Sequence, residues 1–306
     1  MPSFSVVIPA TDRRATAQRC LAAVRAAIGR TGEVILVDEP ATIGPAAARN
    51  VGARRATGDV LVFVDSDIEV HSDAFRRIRS AFADDRDLIA VFGSYDDDPE
   101  RHGLVSDFRN LLHHHVHQQG AGEASTFWAG LGAVRRKAFM AAGGFDERLR
   151  YLEDVDLGMR LRADGGRIRL DPAIQGKHLK RWTLANMLYT DFFGRGIPWI
   201  RLLAENRAHS TALNLGWRHR ASAAASIALV TSVIRRRSRS AAGSVLVLAW
   251  LNGSFYSLLA AKRGWKQVAV GIPLHVLHHL LSVGAVPTGT AFYLRDRFFG
   301  SRRSVA

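Results

Sequence analysis

The stretch LVFVDSDIEV, residues 61–70, places two aspartates directly after a run of apolar residues. The apolar run has the length and composition of a β-strand that is buried on both faces. Because side chains alternate between the two faces of extended backbone, Asp65 and Asp67 are expected to point the same way. Two carboxylates so close repel each other unless a cation or water compensates their charge. The stretch therefore predicts a buried strand that ends either in a polar turn or at a cation site.

The first hundred residues alternate apolar runs with segments of helical periodicity. The segments predict helices at residues 14–28, 46–56 and 72–83. The apolar runs predict strands at FSVVIPA (4–10), EVILVDE (33–39), DVLVFVDSD (59–67) and LIAVFGSY (88–95). This alternation is typical of an α/β fold in which helices cover both faces of a parallel sheet.

Acidic residues follow the first three predicted strands. Asp12 follows the first strand and Asp38 the second, while Asp65 and Asp67 follow the third. Ligands of parallel sheets bind at the carboxyl ends of the strands, so these acids predict a ligand site there. No G-x-G-x-x-G follows the first strand and no G-x-x-x-x-G-K-[ST] occurs in the sequence. A Rossmann cofactor fingerprint and a P-loop are therefore both unsupported.

Positive charge is concentrated near the C-terminus. The formal net charge is +14, and residues 211–306 hold 13 of the 42 Lys and Arg residues but a single acid, Asp296. These cations flank apolar runs, which favours an anionic membrane surface over nucleic acid as a partner. The sole cysteine, Cys20, excludes an intramolecular disulfide and Cys-rich zinc motifs. The opening MPSFSVVIPA lacks the features of a signal peptide, so the N-terminal domain is expected in the cytosol.

Two apolar stretches, residues 241–261 and 268–294, are predicted to span a membrane, because about 20 residues cross its hydrocarbon core. Residues 221–234 are shorter and rich in Ala and Ser, so they are predicted as an interfacial helix or a third span. The arginine-rich run at 235–239 favours the interfacial helix, since arginines prefer the cytoplasmic side. The segment KRGWKQ (262–267) is then predicted as a short external turn.

Five stretches occur in an order that resembles the family 2 glycosyltransferases in their membrane-anchored bacterial form. They cover about two-thirds of the chain and read FSVVIPA, VILVDE, AARNVGARRATGDVLVFVDSD, GGFDERLRYLEDVDLGMRLRADG and HLKRW. The resemblance implies a GT-A fold over residues 1–210, Rossmann-like with a mostly parallel sheet, with an interfacial helix region at 182–210. It also implies C-terminal membrane helices within residues 211–306. The protein is then expected in a bacterial inner membrane, with its catalytic domain in the cytoplasm.

The same resemblance implies an inverting transfer of a hexosyl group from a UDP- or GDP-linked sugar to a membrane-associated, lipid-linked acceptor. The departing diphosphate gains negative charge, which Mg²⁺ or Mn²⁺ bound to carboxylate oxygens stabilises. Asp65 and Asp67 of the DXD motif are the expected metal ligands, completed by His178. Arg49 is expected to help hold the diphosphate, with a solvated helix charge as the alternative. Contacts to the nucleotide-sugar are expected from Pro9, Asp12, Asp38, Arg49, Asp65 and Ser66.

On the acceptor side, the resemblance makes Asp154 the expected base and Glu153 the residue that orients it, with Asp156 as the alternative base. One base and a single displacement predict inversion at the anomeric carbon. The acidic cluster could instead complement a helix dipole. The histidine run HHHVH (113–117) is interpreted as surface of the acceptor region rather than as a metal site. Acceptor contacts are expected from Trp128, Gly130, Arg181 and Trp182.

The sequence departs from the family pattern in two places and leaves two other functions to consider. GLGAVRR (130–136) lacks the usual Asn, and VDEPATIGPAAARN (37–50) is poor in Gly and Ser, so donor and acceptor identities stay open. The RW motif at 181–182 is incomplete, so processivity does not follow. A sugar-1-phosphate nucleotidyltransferase would need a Gly-rich basic loop, which ATDRRAT (10–16) matches poorly. A catalytically inactive, nucleotide-sugar-binding membrane scaffold would not need intact DSD and ED motifs.

Overall fold

The computed structural model describes residues 2–11, 14–29, 32–40, 42–205 and 216–299. The chain forms two compact units. The first unit comprises Met1–His102 and His113–Arg181, and the second comprises Gly103–Leu112 and Trp182–Ala306. The residues predicted as an interfacial region, from 182 onward, therefore group with the C-terminal helices. The predicted boundary at residue 210 lies outside the described residues.

The first unit is built on a mixed β-sheet. In the described residues the strand order is β2-β1-β3-β7-β5-β8-β4, with β6 paired to β8. The strands are β1 (Phe4–Pro9), β2 (Gly32–Val37), β3 (Val60–Val64), β4 (Ile68–Val70), β5 (Leu88–Tyr95), β6 (Gly122–Ala124), β7 (Leu131–Arg135) and β8 (Arg167–His178). The α/β fold is confirmed, and β1, β2 and β3 are parallel as predicted. The alternation did not predict β7, which runs antiparallel between β3 and β5 and separates them.

Helices cover both faces of this sheet. They are α1 (Arg14–Ile28), α2 (Pro45–Arg55), α3 (Ala74–Asp84), α4 (Leu104–Gln119), α5 (Arg136–Ala141) and α6 (Glu153–Ala163). Strand β3 is buried along its whole length, so its successive side chains enter two different cores. Val62 packs with residues of α1 and α3, whereas Phe63 packs with residues of α2, α5 and α6. This double burial explains why β3 is an unbroken apolar run.

The second unit is helical. It contains the first turns of α4, then α7 (Leu184–Tyr189), a π-helical turn (Thr190–Gly196), α8 (Ile197–Ala204), α9 (Trp217–Ile234), α10 (Ser238–Leu251) and α11 (Gly253–Phe299). The predicted span 241–261 is divided, because α10 ends at Leu251 and α11 begins at Gly253. Helix α11 is kinked at Gly264, whose φ of 76° is left-handed.

One helix in the described part of the chain is long and apolar enough to cross a membrane. It covers Gly253–Phe298, and its most apolar stretch has a mean hydropathy of 1.5. Of that stretch, 44% is buried within the protein. The core helices of other proteins meet the same criteria of length and hydropathy, so these two properties alone are weak evidence for a span.

Candidate active site

The two aspartates of the opening stretch lie in a tight turn at the carboxyl end of β3. The backbone N–H of Asp65 donates to the carbonyl of Gly130 at 2.9 Å, and the N–H of Ile68 donates to the carbonyl of Asp65 at 2.9 Å. The buried Cys20 thiol of α1 also donates to the Asp65 carbonyl at 3.4 Å. The turn is therefore held by its own backbone, by α1 and by the segment that leads into β7.

Asp67 and His178 lie side by side at the end of this turn. His178 is the last residue of β8, and the β4–β8 pairing sets it opposite Ile68. Its Nε2 lies 3.4 Å from Oδ2 of Asp67, and both side chains are buried. A buried carboxylate beside an imidazole is a donor pair that suits a divalent cation. Among the described residues, no three His, Cys, Asp or Glu side chains already converge as a metal site.

The carboxylate of Asp65 is instead engaged by Arg49. Arg49 Nη2 donates to Asp65 Oδ1 at 2.6 Å, and Nη1 donates to Glu153 Oε1 at 2.6 Å. Only 5% of the Arg49 side chain is exposed, so it is not a solvated helix charge. One residue in α2, Gly52, makes this possible, because a Cβ there would overlap Val7 of β1 and push α2 away from the sheet. Arg49 thus joins the turn after β3 to the start of α6.

Glu153 and Asp154 form the first turn of α6. The preceding residue, Leu152, adopts a left-handed conformation with φ of 61°, which turns the chain into the helix. A non-glycine residue in that conformation costs about 1–2 kcal/mol, so the surrounding contacts must hold it. The Asp154 carboxylate accepts from the backbone N–H of Ala129 at 3.2 Å and from that of Val155 at 2.8 Å.

A glycine in α6 brings Asp154 against the backbone that precedes β7. Gly158 lies one turn after Asp154 on the same helix face. A Cβ at Gly158 would overlap the backbone N of Phe127, so only glycine permits this approach. The segment from Phe127 to Gly130 therefore contacts α6 through Ala129 and the turn after β3 through Gly130.

Burial and neighbouring charges set the protonation of these acids. Burial raises the pKa of Glu153 to about 7, against the lowering effect of Arg49. Burial also raises the pKa of Asp154, and Arg49 again opposes it. Burial alone would lower the pKa of Arg49, but Asp65 and Glu153 raise it above its ordinary value. Arg49 therefore stays charged and favours the ionised form of both acids.

Asp156, the alternative base, has a different environment. Its side chain is buried, and its Oδ2 accepts from Arg160 Nε at 2.9 Å. Arg160 also donates to the carbonyls of Ala142 and Gly144, the latter at 2.7 Å. Asp156 thus orients Arg160, which fastens α6 to the loop after α5, while the Asp154 carboxylate accepts from Ala129.

An aromatic side chain that no sequence pattern selects lies against His178. The ring of Tyr95, at the end of β5, stacks on the His178 ring with centroids 4.1 Å apart and planes 12° apart. Tyr95 also contacts Trp128 edge-on at 5.0 Å and His113 at 4.5 Å. These contacts restrict the orientation of the His178 imidazole.

The histidine run on α4 supports this cluster. His114 and His117 are buried, so the interpretation of HHHVH as surface is wrong for these two. His114 Nδ1 donates to the carbonyl of Tyr95 at 2.8 Å, and His117 Nδ1 donates to the carbonyl of Gly93 at 2.9 Å. Gly93 sits where the register shifts between β5 and β8, so the His117 side chain satisfies a carbonyl at an irregular point of the sheet.

The remaining predicted site residues have varied surroundings. Pro9 and Ser66 are buried at the ends of β1 and β3, and Asp38 is exposed after β2. Asp12 lies outside the described residues. Trp128 is partly buried, and a Cβ at Gly130 would overlap its indole. Arg181, at the end of the first unit, is exposed. Trp182 is buried in the second unit, where the Arg109 guanidinium lies 5.5 Å from its ring centroid.

A mixed sheet with an acidic turn after its third strand, facing an acidic pair on a later helix, is the arrangement of the GT-A fold. The mannosyltransferase PcManGT from Pyrobaculum calidifontis, solved in complex with GDP-Man and Mn²⁺, shares this fold. The TM-score is 0.55 at 15% sequence identity, and the match covers 97% of this chain and 88% of that one.

Sequence comparison finds similarity to glycosyltransferases over part of the chain. The profile of Glycosyl transferase family 2 matches residues 39–143. The pre-mycofactocin glycosyltransferase of Mycobacterium tuberculosis is 28% identical over 177 residues, which cover 55% of this chain and only 37% of that protein. An uncharacterized glycosyltransferase of Haemophilus influenzae is 22% identical over 185 residues, which cover 52% of this chain and 61% of that protein. Over these ranges the chain is similar to glycosyltransferases of family 2, and it spans less than two-thirds of the length of the curated relatives.

Proposed function

We propose that this protein transfers a sugar, with inversion, from a nucleotide-sugar to a hydroxyl of a membrane-associated, lipid-linked acceptor. The observation that carries the proposal is the double ion pair of Arg49. The guanidinium of Arg49 is paired with both Asp65 and Glu153, at 2.6 Å each. The DXD turn and the acidic pair of α6 are therefore joined through a single side chain. A leaving diphosphate and an attacking hydroxyl need this proximity.

The donor side is assigned to the turn after β3. Asp67 and His178, with Asp65, would hold Mg²⁺ or Mn²⁺, which stabilises negative charge on the departing diphosphate. Asp38, Asp12, Pro9 and Ser66 are assigned to the nucleotide-sugar because they follow or end the parallel strands. The donor is taken as UDP- or GDP-linked; the structural relative from Pyrobaculum was solved with GDP-Man and Mn²⁺, which supports a GDP-linked sugar and a divalent cation.

Asp154 is assigned as the base. The acceptor oxygen attacks the anomeric carbon, its proton passes to Asp154, and the bond from that carbon to the diphosphate oxygen breaks with its electron pair leaving on the diphosphate. A single displacement inverts the anomeric carbon. The hydrogen bonds from Ala129 and Val155 fix the carboxylate for this transfer.

Arg49 is assigned as a positioning residue rather than as a diphosphate ligand. Both of its terminal nitrogens already donate to carboxylates, and its side chain is buried. It holds Glu153 beside the base and Asp65 in the turn, and its charge keeps the pKa of Asp154 from rising further.

The acceptor is assigned to Trp128, Gly130 and Arg181 of the first unit, and the catalytic unit to the cytoplasmic face of a bacterial inner membrane. The support is the apolar C-terminal helix and the basic charge of residues 211–306. Trp128 presents its ring to Tyr95 and His113, so its part is to shape the wall beside His178.

The test is nucleoside diphosphate release from labelled UDP- and GDP-sugars, with membranes as the acceptor source and with or without EDTA. Asp154→Asn is expected to reduce release by about 10²–10⁴-fold, the usual range for a general base. Asp67→Ala and EDTA should each abolish the release, because both remove the cation that stabilises the departing diphosphate. Asp164→Asn, the same change at the exposed end of α6, is the matched control and should leave release unchanged. Release that withstands Asp154→Asn would overturn the assignment.

The same assay separates the two other functions. A sugar-1-phosphate nucleotidyltransferase would form pyrophosphate from a nucleoside triphosphate instead of a nucleoside diphosphate from a nucleotide-sugar. A catalytically inactive scaffold would bind the nucleotide-sugar, seen as thermal stabilisation, without any release.

A further inference from the structure

Helix α11 is fastened at both ends to elements that precede residue 205. Near its start, Arg263 Nε donates to Asp107 Oδ1 at 3.0 Å, and Gln267 Nε2 donates to the carbonyl of Leu104 at 2.8 Å. Near its end, Asp296 Oδ2 accepts from Arg201 Nη2 at 2.8 Å. All of these contacts lie within the second unit.

These contacts show how the segment KRGWKQ is held. Asp107 and Leu104 are on α4, so the segment packs against the start of that helix within the second unit. A hydrocarbon core of about 30 Å cannot lie between two residues that are hydrogen-bonded to each other. Residues 262–267 therefore lie on the same side of a membrane as residues 104–107, which argues against a separate external turn.

The charges that flank the apolar stretch 268–294 argue the same way. Lys262, Arg263 and Lys266 precede the stretch, and Arg295 and Arg297 follow it. Crossing a membrane once would export one of these cationic groups, against the strong preference of Lys and Arg for the cytoplasmic side. A helix lying along one surface keeps both ends on that side.

Helix α10 has two apolar faces, and only one of them is covered. It has 14 residues, about 21 Å, and so is too short to cross a hydrocarbon core of about 30 Å. Leu248 and Leu251 are buried, Leu248 within a cluster that includes Ala225 of α9. On the opposite side, Leu246 is 70% exposed and Trp250 is 76% exposed.

This exposed face begins at a cationic tip. Val233 and Ile234 end α9, with Ile234 75% exposed, and the turn to α10 is formed by exposed arginines. These arginines are Arg235, Arg236 and Arg237, and the exposed Arg239 follows in the first turn of α10. Apolar side chains beside arginines, in a segment whose sole acid is Asp296, match the acyl boundary and the anionic headgroups of a phospholipid surface.

We propose that the second unit is monotopic: it binds one leaflet of an anionic membrane through the α9–α10 tip and the exposed face of α10, and it does not cross the bilayer. The proposal rests on the proposed function only in taking the partner to be a membrane. In this proposal, residues 241–261 and 268–294, which were predicted to span the membrane, instead form helices that lie along its cytoplasmic surface.

Cysteine accessibility tests the side of the membrane. The native Cys20 is buried, so the chain offers a low background for a membrane-impermeant maleimide. Lys266→Cys should be labelled only after spheroplasts are lysed, as should the control Lys137→Cys in the first unit; both positions are exposed. Lys262→Cys provides a second position if Lys266→Cys accumulates poorly. Labelling of either turn position in intact spheroplasts would overturn the proposal.

Vesicle flotation of the full chain tests the surface. Binding to phosphatidylcholine vesicles containing phosphatidylglycerol should exceed binding to phosphatidylcholine alone, and Arg237→Glu/Arg239→Glu should weaken it by roughly tenfold or more. These positions flank the N-terminus of α10, where acids favour the helix, so folding is preserved. Arg54→Glu/Arg55→Glu, an exposed arginine pair ending α2, is the matched control and should bind like the wild type.

The two proposals can fail separately. Asp154→Asn should float with vesicles like the wild type, because its carboxylate has no part in surface binding. Equal losses from both arginine pairs, or binding that ignores phosphatidylglycerol, would overturn the monotopic surface while leaving sugar transfer intact.

Discussion

Arginine has opposite surroundings in the two units. In the first unit, Arg49 is 5% exposed and divided between two carboxylates at 2.6 Å. In the second unit, the arginines between α9 and α10 are exposed beside apolar side chains. A buried guanidinium is stable only with its partners in place, whereas an exposed one remains hydrated until a charged surface approaches. The first arrangement fixes a geometry, and the second recognises a surface.

The largest effect is expected from breaking the buried arrangement. Arg49→Gln leaves Glu153 buried without its cation, which should lower the free energy of unfolding by about 3–5 kcal/mol. Sugar transfer should also fall, because Asp65 and Glu153 are no longer held together. Urea unfolding and nucleoside diphosphate release measure the two effects.

Two variants sharpen this result. Arg49→Lys keeps the charge but lacks the fork that reaches two carboxylates, so it should fall between the wild type and Arg49→Gln. Arg54→Gln, at an exposed site on the same helix, should change stability by less than about 0.5 kcal/mol. Equal effects of Arg49→Gln and Arg54→Gln would show that the double ion pair does not stabilise the site.

A smaller effect on the free energy of unfolding is expected from replacing one glycine in each unit by alanine. Gly158→Ala would push α6 from the backbone of Phe127, which should destabilise the protein by about 1–3 kcal/mol and disturb the contact between Asp154 and Ala129. Gly243→Ala in α10 meets nothing within 4 Å and should stabilise its helix by up to about 1 kcal/mol. Thermal or urea unfolding compares them, and effects of the same sign would contradict the close approach at Gly158.

Periodicity in the sequence was enough to predict β1, β2, β3 and β5, and the acids after the strands located the turn. It could not predict that β7 runs between β3 and β5, because a short strand carries no mark of its neighbour. The sequence also could not predict the ion pair between Arg49 and Glu153, because the two residues are 104 positions apart in the chain.

The histidine run shows the same limit. Its spacing predicts that His113 and His117 share a helix face, but not that β5 supplies carbonyls for His114 and His117. Tyr95 ends a predicted strand without any polar pattern that would select it. The pair Asn252–Gly253 marks the break between α10 and α11. A prediction made from hydropathy alone does not take these two residues into account.

Replacing Tyr95 tests whether its stacking on His178 contributes to the proposed metal site. Tyr95→Leu removes the ring stacked on His178 and should weaken Mn²⁺ binding by about threefold to tenfold, the range expected for one aromatic contact. Tyr95→Phe keeps the ring and should bind Mn²⁺ like the wild type. Titration followed by electron paramagnetic resonance measures the affinity, and kcat at saturating Mn²⁺ should recover in Tyr95→Leu. Equal Mn²⁺ affinity of the two variants would show that stacking does not orient His178.

The smallest expected effect is a shift in the pH profile. Burial raises the pKa of Asp154, so kcat should rise with pH along a limb that lies above the ordinary aspartate range, near 3.9. Arg49 opposes this rise, and removing its positive charge disfavours the carboxylate, so Arg49→Gln should move the limb to higher pH. Arg49→Lys keeps the charge and should move it less. Profiles of kcat between about pH 5 and pH 9 for the wild type, Arg49→Lys and Arg49→Gln show in which order the three limbs lie. A limb that moves to lower pH in Arg49→Gln would mean that a group other than Asp154 accepts the proton.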